Sequence, residues 1–221
     1  MREALKELGI LIWEIFYPRT CFVCGIEIAD GLFCDECRRG LYVGKEIAAR
    51  ENLTGIWILF AYDQGVKEAL HRIKFAGAKS LPLLLRSETG MVMATEPWPC
   101  FLNMQALATG IPTDARRKKE RGFDLPEVIF KEVLARHKIF WQEVLVRQRP
   151  TEPLFDLNPE ERRLCLEGCF KVIGDVRGKQ IILTDDILTT GATMQEAARV
   201  LKLAGASNVV AITFAGARAN L

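Results

Sequence analysis

Two groups of residues in this chain have the types and spacing to do chemistry. The first is Cys21-Phe22-Val23-Cys24 followed by Cys34-Asp35-Glu36-Cys37, two CxxC knuckles separated by nine residues. Each knuckle turns two thiols toward one point, and four sulfurs at one point make a tetrahedral site for which Zn²⁺ is the default ion. With Cys21, Cys24, Cys34 and Cys37 filling every position, such an ion is structural and leaves no opening for catalysis. The segment is too small to fold on apolar burial alone, so metal binding would supply its folding energy. Two disulfides or an iron–sulfur cluster would use the same four residues. Nothing in the sequence suggests export, however, and cytosolic thiols stay reduced.

The second group is Asp185-Asp186 followed by Thr189-Thr190-Gly191-Ala192-Thr193. A turn of small residues at the end of a strand and the start of a helix leaves several backbone N–H groups free where the helix dipole is positive, which makes an anion cradle suited to phosphate. Gly191 lets the backbone approach closely, and the three threonines add hydroxyl donors. Two carboxylates beside a bound phosphate would repel it unless they face hydroxyls or a metal. A sugar phosphate with a free cis-diol meets both demands.

These residues need elements to hold them. The run Ile181-Ile182-Leu183-Thr184 reads as a buried strand, the apolar stripe Met194, Ala197, Ala198, Leu201 and Ala204 as a helix, and Val209 to Phe214 as the next strand,. Gly205 stands where a left-handed helix cap is expected. The unit is βαβ, and its nearly all-apolar strands suit the interior of a parallel sheet. Earlier in the chain, Gly55–Tyr62 reads as a strand and Val66–Lys74 as a helix with His71 on its polar side. A second helix is expected over Ser80–Thr95, and Met104–Ala108 forms a strand that leads into Thr109-Gly110-Ile111-Pro112-Thr113-Asp114. The cluster Arg116-Arg117-Lys118-Lys119 follows. Asp124, Pro126 and Glu127 announce another helix with a capping box. Asn158 to Glu161 opens a short helix in the same way.

At 221 residues, with 30 Lys and Arg against 28 Asp and Glu, the chain is long enough for a real core and exerts no global pull toward nucleic acid. Residues 1–17 read as an amphipathic helix stopped by Pro18. The apolar run in it is too short to span a membrane, and no cleavage site follows it. Three segments result: this helix, a four-cysteine module over 18–45, and an α/β domain over 50–221. A cytoplasmic location is expected.

Leu183 to Thr193 resembles the phosphoribosyl pyrophosphate (PRPP) loop of type I phosphoribosyltransferases: four apolar residues, two acidic residues and a T-G-x-T turn. Several features occur in the order found in the ComF family, related to competence protein ComFC and to GntX. These are the four-cysteine module, Ile73-Lys74-Phe75-Ala76-Gly77, Glu120-Arg121-Gly122-Phe123, Arg149-Pro150-Thr151, Gly168-Cys169-Phe170 and this loop. The resemblance implies a type I phosphoribosyltransferase-like parallel sheet flanked by helices, with a small N-terminal zinc module. It implies that Asp185 and Asp186 are catalytic and hold the ribose hydroxyls of PRPP, while Thr189, Thr190, Gly191, Ala192 and Thr193 wrap the 5′-phosphate.

It places Pro112 and Thr113 at the pyrophosphate, with Mg²⁺ accompanying the substrate. Lys74 is aimed at the same group, although a lysine there also complements a helix dipole. Arg116, Arg117, Lys118 and Lys119 become a mobile flap over the leaving group, with nucleic-acid contact or a solvated loop as the alternatives. The implied activity is phosphoribosyl transfer to an acceptor base or amine, linked by family to competence and DNA uptake. The implied alternative is a non-catalytic module that senses nucleotides or binds single-stranded DNA or a competence protein.

Overall fold

A computed structural model of the chain describes residues 19–75, 80–99, 102, 105–149 and 165–217. The expected helix over 1–17 and the one expected from Asn158 lie outside the described residues. In order, the elements are α1 (Asp35–Leu41), β1 (Tyr42–Arg50), β2 (Leu53–Ala61), α2 (Gln64–Phe75), α3 (Leu81–Thr95), β3 (Leu107–Gly110), α4 (Ala115–Arg121), α5 (Leu125–Arg136), β4 (Phe140–Trp141), β5 (Leu145–Arg147), β6 (Phe170–Val172), β7 (Gln180–Leu188), α6 (Ala192–Leu203) and β8 (Asn208–Gly216).

Six strands form one sheet in the order β1-β2-β8-β7-β3-β4. All neighbours pair in parallel except β1, an antiparallel edge on β2. Alternation along the strands sends side chains to two cores. Ile182, Val210, Ile212 and Phe214 join residues of α2, α3 and α5 on one face. Ile181, Leu183, Val209 and Ala211 meet α6 and the antiparallel β5–β6 pair on the other. A sheet covered on both sides explains why β7 and β8 read as unbroken apolar runs rather than alternating ones.

The order of strands fixes where a ligand site can form. β7 is the middle of the five parallel strands. The chain leaves β7 through α6 toward β8 on one side and leaves β3 through α5 toward β4 on the other. The helices after β3 and β7 therefore lie on opposite faces, and the crevice beyond the carboxyl ends of these two strands is a topological switch point. Gly110, at the end of β3, is confined there. A Cβ on it would stand 3.3 Å from Pro126 and 3.4 Å from the Trp141 ring.

The four-cysteine segment docks on the first core rather than standing apart. Leu32 and Phe33 are fully buried with Trp57 and Phe60, and the Phe33 and Phe60 rings lie 6.2 Å apart. Glu88 of α3, itself fully buried, accepts from the Leu32 amide at 2.7 Å and the Phe33 amide at 3.2 Å, and pairs with Arg38 Nε at 2.6 Å. A buried carboxylate needs such partners, and here three donors from the cysteine segment supply them.

Candidate functional site

The corner after β7 is built as its sequence suggests. Asp185 lies opposite Thr213 in register with β8, and Thr184 opposite Gly110 of β3. Thr189 and Thr190 are exposed. Gly191 then turns the chain at φ +82° into α6, whose first turn has no capping side chain. Only a long 3.5 Å contact joins the Ala192 amide to Thr190 Oγ1. That helix start therefore presents amide donors and a positive dipole end to the crevice.

The two carboxylates are unlike each other. Asp185 Oδ1 accepts from the Asp186 amide at 2.9 Å. Burial first, and then the neighbouring Asp186 charge, push the Asp185 carboxyl well above the usual carboxylate range,. Burial acts upward on Asp186 too. The Lys74 ammonium and the Asp185 side chain outweigh it and hold Asp186 below its ordinary value. Lys74 Nζ pairs directly with Asp186 Oδ2, both side chains being largely shielded, 25% and 15% exposed. Lys74 is held there because Val66, Ala69, Leu70 and Ile73 of its helix are buried in the first core. Arg121, half-buried at the end of α4, also addresses this pair. Burial lowers its guanidinium, and Asp186 is the largest charge acting against that.

On the other side of the crevice, Ile111 donates its amide to Thr184 O at 2.9 Å. The half-buried Pro112 and Thr113 follow, with the Thr113 amide on Asp124 Oδ1 at 3.2 Å. The basic cluster, which the sequence suggested as a flap or loop, is a helix. Asp114 accepts the amides of Arg116 and Arg117 as its cap, Arg116 pairs with Glu120 one turn on, and Gly122 ends it at φ +84°. Lys118 is tied to Asp124 at 2.6 Å and to Glu143 at 3.6 Å, so it does not share the exposure of Arg116, Arg117 and Lys119. Asp124 itself makes no side-chain cap bond to α5. Its oxygens serve Thr113 and Lys118 instead.

Sequence reasoning named Arg121 within a motif but gave it no place in the site. The signal was Gly122, a helix terminator that puts Arg121 in the last turn beside the crevice.

The second site is the cysteine cluster. The four sulfurs of Cys21, Cys24, Cys34 and Cys37 all lie within 4.8 Å of one another, and all four are free thiols. Four sulfurs about 2.3 Å from a central Zn²⁺ have tetrahedral edges of roughly 3.8 Å, and Cys24 Sγ and Cys34 Sγ stand 3.8 Å apart. Local structure prepares the cluster. Cys21 donates its amide to Ile26 O at 2.8 Å, Gly25 closes the first knuckle on Cys21 O, and Cys34 caps α1. Burial acts upward on the Cys21 thiol, yet backbone hydrogen bonds at Cys24, Cys34 and Val23 bring it down to about 6. Burial and the neighbouring sulfurs raise Cys37. Crowded sulfurs of this kind call for a cation, and the donor set is compatible with zinc.

Residues 139–220 match the phosphoribosyl transferase domain. That stretch contains β4 through β8 and the whole Asp185–Thr193 corner. The chain is 28% identical over 218 residues to DNA utilization protein YhgH of Escherichia coli O157:H7, covering 87% of this chain and 94% of that one. It is 27% identical over 191 residues to competence protein ComFC of Bacillus subtilis (strain 168), covering 82% and 70%.

Among solved structures it is similar to the glutamine PRPP amidotransferase of B. subtilis, at 19% identity and a TM-score of 0.41. That likeness spans 65% of this chain and only 30% of that one. The ComF-type resemblance read from the sequence is thus borne out, as is an α/β fold with a mainly parallel sheet and an N-terminal cysteine cluster. Among the described residues, no helix is long and apolar enough to cross a membrane.

Proposed function

We propose that this chain binds PRPP at the β7–α6 corner and transfers its phosphoribosyl group to a base or amine. The observation that carries the reading is the pairing of an acidic dipeptide with an uncapped Thr-Thr-Gly-Ala-Thr helix start, on the middle strand, at the switch point,. The amides and hydroxyls of Thr189 to Thr193 would hold the 5′-phosphate. Asp185 and Asp186 would take the ribose hydroxyls. Carboxylate oxygens accept from hydroxyl donors, which suits a diol.

Breaking the bond between C1 and pyrophosphate leaves positive charge on the ribose and negative charge on the leaving group. Pro112 and Thr113 would take that leaving group, with Arg121 and the exposed Arg116, Arg117 and Lys119 following along α4. Mg²⁺ carried by pyrophosphate oxygens and water would neutralise part of the leaving charge. Similarity to proteins named for DNA utilization and competence supports a role in DNA use, in a cytoplasmic setting with a structural zinc. Pyrophosphate release from PRPP with Mg²⁺ tests the reading. The wild type should release it when offered a panel of bases and amines, and an Asp185→Ala/Asp186→Ala variant should lose the signal. Equal release by both would refute it.

One observation favours a second reading. Arg116, with its side chain 86% exposed, Arg117 and Lys119 put cations on the solvent side of a short capped helix, a surface that single-stranded DNA could contact without any turnover. Neutralising Arg116, Arg117 and Lys119 together should then flatten the salt dependence of single-stranded DNA binding, with the slope smaller by roughly 0.7 for each phosphate no longer neutralised. An unchanged slope removes this reading.

A further inference from the structure

The charge beside the phosphate cradle decides what this corner can admit. Two ionised carboxylates there would repel a phosphate, and a divalent cation is the usual remedy. This chain carries its own remedy. Lys74 reaches Asp186 from the last turn of α2 and forms an ion pair shielded from water on both sides. Asp185 spends one oxygen on the Asp186 amide. A divalent ion does not fit against this arrangement. It would have to displace Lys74 from Asp186 and then sit beside its ammonium.

We infer that Lys74 is the resident counter-cation of the acidic pair, so that 5-phosphorylated ribose enters this corner without a divalent metal. This rests on reading the corner as a 5-phosphoribosyl site and deepens it. Any Mg²⁺ then travels with the pyrophosphate alone and is not anchored by Asp185 or Asp186. The ligand class widens accordingly, since ribose 5-phosphate, which lacks a pyrophosphate, should bind as well in chelator as in magnesium.

The test is calorimetric titration with ribose 5-phosphate, in EDTA and in MgCl₂, on the whole zinc-loaded protein. EDTA is added only in the titration buffer, and the retained zinc is checked by metal analysis. Wild-type affinity should differ by less than about threefold between the two buffers. Lys74→Met should lose about tenfold or more in EDTA and recover in MgCl₂, because the cation then has a vacant carboxylate to occupy. Lys74→Arg, which keeps the charge, should bind like the wild type and controls for damage to α2.

Wild-type binding that disappears in EDTA overturns the inference while leaving the 5-phosphoribosyl reading intact, as does a Lys74→Met variant indistinguishable from wild type in EDTA. Absence of binding by both ribose 5-phosphate and Mg–PRPP in every buffer overturns the reading of the corner itself.

Discussion

Individual side chains in this protein take their character from what surrounds them. Asp185 and Asp186 are chemically identical and adjacent, yet burial and its neighbour's charge push the first up, while the direct pair with Lys74 helps hold the second down. The acidic pair and the Thr-Gly turn are legible from residue types alone, since both lie in one short stretch. The Lys74–Asp186 pair is not, because the sequence gives a lysine at a helix end several equivalent uses and only the azimuth of α2 selects among them.

His137 illustrates the same dependence away from the site. Its ring lies 4.6 Å from that of Trp98, tilted by 56°, and burial, with Arg136 close by, holds its pKa below the usual 6.5. As pH falls through the unfolded value of about 6.5, the unfolded chain takes up a proton before the folded one does, so stability is lost progressively down to the folded pKa. Urea unfolding at pH 7.5 and pH 5.5 should therefore show a drop in the wild type that is smaller in His137→Phe.

At the scale of elements, strong periodicity and observed structure agree. Helices α2, α3 and α6 and strands β2, β7 and β8 appear close to their expected positions. Strand β1 has no such signal. Lys45-Glu46-Ile47-Ala48-Ala49-Arg50 has little intrinsic preference for a strand, and its pairing with β2 along an exposed edge overrides that composition,. The basic cluster misleads for the opposite reason. Its charge suggests a loop, but Asp114 before it and Gly122 after it are the start and stop of a short helix,. Asp114→Ala should cost about 1 kcal/mol and fray α4, seen as faster amide exchange at Arg116 and Arg117. Retained protection there would show that the cap is not what holds the helix.

Across the whole molecule, the cysteine segment and the α/β domain share one core, which a division into separate segments along the chain does not anticipate. Metal analysis should find about one zinc per chain, and its removal by a strong chelator should lower the melting temperature of the entire domain rather than of a detached piece. Glu88→Ala should destabilise by about 3 kcal/mol, because it removes the buried acceptor of Arg38 Nε and of two amides,. Melting of the variant within a degree of wild type would contradict this.

Glu88 also has a bearing on how the protein lives. It belongs to one of the helices that shelter the sheet and holds the cysteine segment through Leu32, Phe33 and Arg38, so losing an ion bound at the knuckles would loosen the partners of a carboxylate at the heart of the fold. Shortage of zinc would then act on abundance before activity: chelated chains should be digested by trypsin at sites scattered through the sheet domain, and what survives should be fewer molecules, each fully competent.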